Sequence, residues 1–336
     1  MAYSIPEGNL FPKGTEGARP EIYTMGHRNP FRISVDKRTG FVYWGEVGPD
    51  ANDPDSTKGP AGQDEVGQAR KAGNYGWPYF VGENKAYNHF DFAANKPGEN
   101  FDAAKPLNNS PNNSGLKELP PAQKAMIWYP YAASKEFPLV GSGGRNAMAG
   151  PVFYNDDLKN AARAFPKYYD GKFFSYDWLR GWIMSVTLDK DGNYVSMERF
   201  MPSYKFSNPM DMEFADNGDL YMLEYGSGWF TANDDARLIR IEYNGGNRKP
   251  AIQLTADKMG GSIPTTINLS SKGTKDADGD AVTYFWKITS KNGYTKTINE
   301  PDAKLTLAKA GIYKATLTAS DNKGGVSSQS MGTNSR

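Results

Sequence analysis

The sequence predicts an all-β chain in two parts, a partial β-propeller followed by a β-sandwich. Three observations carry this. Aromatic residues make up 13% of the 336 residues and are accompanied by 36 Gly and 22 Pro, a composition of short strands joined by tight turns rather than of helices. Sets of apolar or alternating residues recur between Thr-Gly, Asp-Gly and Asn-Gly turns, as in propeller blades. Beyond Pro250 the aromatic density falls and the strand pattern changes, and a chain of this length accommodates two domains.

Composition also excludes some classes. A formal net charge of +1 gives no electrostatic case for nucleic acid or an acidic membrane surface. No apolar run approaches the roughly 18 residues of a membrane span, and no charged-then-apolar leader follows Met1. With no Cys there are no disulfides, thiolate metal sites or Cys nucleophiles.

In chain order, residues 4–20 form an extended, Pro-containing lead-in. Strands are predicted at Arg32 to Asp36 and Phe41 to Val47 around the Thr39-Gly40 turn, within a blade-like set spanning 22–47. A partial set covers Gln63 to Phe80, and further sets cover Lys172–Phe200 and Met210–Tyr243, so three to four blades are visible. A ring so incomplete leaves blade faces and a strand edge bare. The expectation is therefore a fragment of a longer protein, or a partner chain that completes the ring. Residues 84–125, rich in Asn, Pro and Ala, read as a surface insertion. The Gly-rich run Gly141 to Pro151 lacks the GxxxxGK[ST] pattern and is no phosphate loop. A linker is expected at 244–250, between a propeller portion at 1–243 and a sandwich at 251–336.

Residues able to carry chemistry gather between Glu21 and Pro78. Gly26-His27-Arg28-Asn29-Pro30 is followed by a strand pair, Gly48-Pro49, an Asp- and Gly-rich loop, Asp64-Glu65, and Gly73-Asn74-Tyr75-Gly76-Trp77-Pro78. A flat guanidinium suits a planar ligand bearing carboxylates, and a hard cation takes oxygen donors that include main-chain carbonyls. This order and spacing resemble the soluble quinoprotein glucose and sorbosone dehydrogenase family. The resemblance implies a six-bladed propeller that oxidises sugars with pyrroloquinoline quinone (PQQ) held over calcium.

By that resemblance, Arg28 and Asn29 contact the cofactor, and the Gly48 and Pro49 carbonyls hold the catalytic calcium. Asp64 matches an acid that orients the catalytic His, and Glu65 and Tyr75 match ligands of a structural calcium. The bland alternatives remain open: Arg28 tying loops together, Asp64-Glu65 capping a loop, Tyr75 in the core. The loop between Gly48-Pro49 and Asp64-Glu65 is about ten residues longer than in the family. His27 and His89 are the only imidazoles, and neither matches the family base. In the second half Leu179 replaces a cofactor-binding Lys, with Arg180 one step away. Ser207-Asn208-Pro209-Met210-Asp211 stands where glucose-type relatives carry two Arg. Arg145 and Asn146 are candidates to compensate.

After Pro250, the run Asp276-Ala277-Asp278-Gly279-Asp280, then Tyr284-x-Trp286, Gly311-x-Tyr313 and Asp321-Asn322-x-Gly324-Gly325, resembles the PKD family of immunoglobulin-like sandwiches. The alternating Asp residues mimic part of a calcium loop or form a solvated acidic turn. Together the resemblances imply a sugar substrate, a cytochrome-type electron acceptor, an upstream propeller segment or partner chain, and a periplasmic or extracellular location. They leave open a non-catalytic carbohydrate- or surface-binding propeller with a spacer or adhesion domain, since fold does not dictate function.

Overall fold

The computed structural model describes residues 3–158, 161, 163–243 and 246–336. The chain divides into two units, Met1–Tyr243 and Asn244–Arg336.

Three antiparallel sheets of the first unit form three propeller blades. Blade I runs in the order Pro30–Val35, Val42–Glu46, Asp64–Ala69, Ile127–Tyr129. Its first turn closes because Gly40 takes φ +72°, a backbone state open to Gly. The Asp36 carboxylate then accepts from Arg38 N (3.0 Å), Thr39 Oγ1 (2.5 Å) and the Tyr154 hydroxyl (2.8 Å), which ties the turn to blade II. The predicted strands around Thr39-Gly40 form. Residues 63–80 do not make a separate set: Asp64–Ala69 is the third strand of blade I, and Gly73–Asn74 pairs in parallel with Thr24–Met25. Its fourth strand, Ile127–Tyr129, arrives only after the excursion through 84–125, which itself carries small hairpins.

Blade II comprises Ala147–Val152, Phe173–Asp177, Trp182–Leu188 and Tyr194–Phe200, and blade III Pro209–Phe214, Leu220–Glu224 and Arg237–Ile241. Both faces of the two central strands of blade II are covered, so Phe173–Asp177 and Trp182–Leu188 read as largely apolar runs. One core lies between blades I and II, where Tyr43 stacks on Phe173 at 4.4 Å among Val66, Ile127 and Ala147. The blades approach so closely that a Cβ on Gly45 would lie 2.2 Å from the Ala147 carbonyl oxygen. A second core, around Phe174, Ile183, Met212 and Met222, joins blades II and III. The first strands of the three blades are neighbours, and Arg32 Nε donates to the Met210 carbonyl (2.7 Å).

The second unit packs a three-stranded sheet built on Thr265–Ser270 and Asp302–Leu307 against a five-stranded sheet centred on Gly311–Ser320. Inward residues alternate strictly along Asp302–Leu307, and Trp286, Ile288, Leu305 and Leu317 are buried in the core. Of the expected linker, Asn244 and Gly245 lie outside the described residues, whereas Asn247 and Arg248 bond within the sandwich unit to Asp321 and Asp278. No described helix is long and apolar enough to cross a membrane.

Candidate functional site

Strand pairing in blade I sets Glu46 directly opposite Glu65. Two carboxylates side by side on one sheet face repel each other unless something compensates them. Beyond Glu46 the chain turns through Val47, Gly48 and Pro49, with Val47 N donating to the Asn29 carbonyl (3.1 Å). A Cβ on Gly48 would lie 1.7 Å from the Gln63 carbonyl oxygen, so only Gly lets this segment fold back over the Asp64 strand.

Glu46 accepts from the Arg28 amide, from Trp44 Nε1 (3.2 Å) and from His27 Nδ1 (3.2 Å). His27 lies edge-on to Trp44 and stacks on Tyr75, with Nε2 3.0 Å from Thr24 Oγ1. Among the described residues the donor to Glu65 is the Gly82 N–H, at 2.5 Å. Glu65 is partly exposed as a residue, but its carboxyl group is enclosed. Burial, with further push from Glu46 and Asp64, raises it to about 8 against the pull of Gly82. A cavity of about 10 Å³, enough for one water-sized centre, lies between Glu46, Glu65, Gly48, Pro49 and Gln63.

Asp64, which the resemblance makes a catalytic orienter, points away from that cavity into the junction of blades I and II. Its Oδ1 accepts from Gly48 N (3.0 Å) and Arg145 Nη1, and its Oδ2 from Ala147 N (2.9 Å). Burial raises its carboxyl to about 6, opposed by the Arg145 guanidinium. Arg145 Nη2 donates to the Pro49 carbonyl (2.7 Å), the guanidinium lies 4.0 Å from the Tyr131 ring centroid, and Nε is buried without a partner.

The structure brings Arg28, Gly48, Pro49, Glu65 and Arg145 together around one segment. Arg28 Nη1 donates to the Val47 carbonyl (2.9 Å) and its guanidinium lies 5.8 Å from the Trp77 ring, leaving other donors unspent. Asn29 is exposed. Tyr75 is not at the cavity; its hydroxyl donates to the Gln68 carbonyl (3.1 Å). Arg180 is held by carbonyls of Pro130, Val140, Gly141, Gly143 and Gly144 at 2.8–3.1 Å, over Tyr129. Asn146 lies near it, its amide bonded to Asp177 (3.0 Å) and its Oδ1 buried without a partner. Two residues that matter here escaped the sequence reading. Glu46 is discoverable only as the residue that ends a strand one face-step after Trp44. Asp177, fully buried, accepts from Tyr129 Oη (2.7 Å), Asn146 N and Arg180 N (2.7 Å).

Oxygen donors around an ion-sized cavity, with a carboxyl that burial holds protonated for want of a compensating charge, fit a hard cation such as calcium, whose binding would displace the proton. No three His, Cys, Asp or Glu side chains converge among the described residues, so main-chain carbonyls must complete the set. PQQ fits these residues poorly. The terminal nitrogens of Arg145 are spent on Asp64 and Pro49, and all of Arg180's donors are spent on carbonyls, which leaves Arg28, of these three arginines, with terminal donors to offer three carboxylates. In the second unit Asp278 is held by Arg248 (2.7 Å) and Asp280 by Lys323 (2.6 Å), so the chain's own cations occupy that acidic turn.

Residues 2–118 match the glucose / sorbosone dehydrogenase family, and residues 251–331 match the PKD domain. Each match covers less than half of the chain, and each is a likeness of that segment to the family. Among curated proteins, the quinoprotein glucose dehydrogenase B of Acinetobacter calcoaceticus is 34% identical over 97 residues, 28% of this chain and 17% of that protein. The HIPL2 protein of Arabidopsis thaliana is 37% identical over 81 residues, 24% of this chain and 10% of that protein. A solved glucose dehydrogenase shares 18% identity at a TM-score of 0.42, covering 71% of this chain and 51% of its own. The match therefore spans only a part of each relative's length, and the matched segment 2–118 contains both Glu46 and Glu65.

Proposed function

We propose that residues 1–243 are part of a sugar-oxidising propeller of the glucose/sorbosone type, and that their share of its site is a calcium seat. The observation that carries this is the cavity between Glu46, Glu65 and the Gly48-Pro49 turn, with the Glu65 carboxyl raised to about 8. Glu65 would supply the charge, with Glu46, oriented by Trp44 and His27, and main-chain oxygens of the Gly48-Pro49 turn as further donors. Bound calcium would supply a positive centre that polarises a coordinated oxygen.

The finer reading is oxidation of a sugar hydroxyl by hydride transfer to PQQ, with a cytochrome-type acceptor, outside the cytoplasm. We assign that chemistry to an assembly with a further propeller segment or partner chain, not to this chain by itself. Support comes from the bare blade faces: Ile33 is 63% and Val35 58% exposed on blade I, and Leu238 is 65% exposed on blade III. The commitment of Arg145 and Arg180 to internal partners favours a second reading, a non-redox carbohydrate- or surface-binding propeller with a PKD spacer.

Dye reduction with a panel of aldoses, PQQ and calcium tests both readings. This chain is expected to give no turnover, because neither His27 nor His89, its two imidazoles, matches the family base that takes the hydroxyl proton, a loss of about 10²–10⁴-fold by itself. Turnover by this chain would refute the assignment. An assembly that neither turns over nor binds PQQ would select the scaffold reading.

A further inference from the structure

The fourth strands of blades I and II, Ile127–Tyr129 and Tyr194–Phe200, flank a groove of about 1030 Å³ that shares no residue with the cation cavity. Trp128, Phe137 and Tyr194 line it as an edge-to-face file, with ring centroids 5.0 and 5.4 Å apart. Trp128 and Phe137 are buried, so little aromatic face is open to a ligand. What the groove offers is polar. The end of the strand Asp64–Ala69 brings Gln68, Arg70 and Lys71 to it, and the returning end of the 84–125 excursion brings Gln123 and Lys124.

Both contributions are fixed in place. The returning segment is tied down by Gln123 N on the Asn74 carbonyl (2.7 Å), Ala125 N on the Gly82 carbonyl (2.9 Å) and Asn84 Nδ2 on the Ala122 carbonyl (3.0 Å). Arg70 is oriented from behind. Its Nε donates to Gln68 Oε1 (2.7 Å) and its Nη2 to the Gly192 carbonyl (2.8 Å). Gln68 Nε2 is in turn held on Tyr43 Oη and on that same carbonyl, both at 3.0 Å. Arg70 Nη1 has no partner among the described residues, and neither do the exposed Lys71 and Lys124 ammonium groups or the Gln123 side-chain amide.

Three cations therefore line the groove against one carboxylate, Glu136. The Asp189 carboxylate near Arg70 is taken up by Asn193, at 2.8 and 2.9 Å. With a net charge of only +1 on the whole chain, this is a local excess and not a surface-wide field. A pre-oriented guanidinium with a free terminal nitrogen suits a carboxylate. A free amide, donor and acceptor together, suits hydroxyl groups, which are both as well. The volume stands at the top of the roughly 300–1,000 Å³ range of small-molecule sites, which gives room for several rings in a row.

We propose that this groove binds a short acidic oligosaccharide, with a uronate carboxylate on Arg70 Nη1, ring hydroxyls on the Gln123 amide, and Lys71 and Lys124 compensating the neighbouring carboxylates.

The test is calorimetric titration of the full chain at low salt with trigalacturonate, alongside maltotriose as the uncharged analogue and triglutamate as an acidic peptide. Trigalacturonate is expected to bind saturably and to weaken as salt is raised. Arg70→Ala is expected to weaken it about 3- to 10-fold, and Lys71→Glu with Lys124→Glu by more than about 10-fold. Lys287→Glu with Lys314→Glu makes the same charge change at exposed positions of the second unit and is expected to leave binding unchanged. Arg70, Lys71 and Lys124 are exposed, so their replacement spares the core, and matching melting curves verify this. Three results would each overturn the proposal: no saturable binding of trigalacturonate, equal binding by the Lys71→Glu, Lys124→Glu protein, or maltotriose or triglutamate binding as tightly as trigalacturonate. Glu65→Gln is expected to bind trigalacturonate like the wild type, so failure here is distinguishable from failure of the calcium reading.

Discussion

Arg145 and Asp64 form a fully buried ion pair that locks blade I to blade II, and the same guanidinium holds the Pro49 carbonyl. Breaking such a pair on one side strands a charge in the core, whereas removing both charges together costs far less. Asp64→Ala and Arg145→Ala are each expected to destabilise the unit by about 3–5 kcal/mol, and Asp64→Leu with Arg145→Met by clearly less than the sum. Urea unfolding of the four proteins measures this. Additive losses would show that the pair is not the junction's electrostatic unit.

The pH dependence of the calcium-free protein follows from Glu65. Its folded carboxyl is raised from the ordinary 4.5 to about 8, so the folded state binds more protons than the unfolded one across that window. The contribution is full below about pH 4.5 and is lost as pH rises through 8. In chelator, the melting temperature is expected to fall from pH 6 to 8 more steeply in the wild type than in Glu65→Gln. Parallel profiles would contradict the assignment.

Gly48→Ala probes the turn. The added Cβ meets a carbonyl oxygen at 1.7 Å, so the Gly48-Pro49 segment must move off the Asp64 strand. Calcium stabilisation is expected to disappear and the melting temperature to fall, while Gly332→Ala, with nothing within 4 Å, leaves both unchanged. A Gly48→Ala protein that still responds to calcium rules out the turn as part of the seat.

Arg180 is expected to behave as a structural residue. Lys offers a point charge in place of the planar fork that reaches five carbonyls, so Arg180→Lys should cost about as much stability as Arg180→Ala. Thermal unfolding of both variants reads this out; full rescue by Lys would indicate that charge alone matters there.

The sequence displays what is local. The Thr39-Gly40 turn, the strands of blades II and III and the alternating sandwich strands are all written in short-range pattern. Met126 to Tyr131 also reads locally as a strand, but its place as the fourth strand of blade I does not, because Ile127–Tyr129 pairs with Asp64–Ala69 across the whole 84–125 excursion, and the 63–80 stretch therefore reads as a partial set of its own. Charges are visible in a sequence but their partners are not. Arg145 and Arg180 have the residue type of an anion clamp, and only the fold shows their donors turned onto Asp64 and onto carbonyls. Glu46 lies hidden in a strand covered on both faces, where alternation no longer marks a special position.

The calcium seat is tested most directly by thermal unfolding of the wild type and Glu65→Gln, each with calcium and with chelator. A cation that binds only the folded state stabilises it by about 2.7 kcal/mol at a hundredfold excess over its Kd. The account predicts a higher melting temperature for the wild type in calcium and no shift for Glu65→Gln. Identical melting temperatures for the wild type in calcium and in chelator would contradict it.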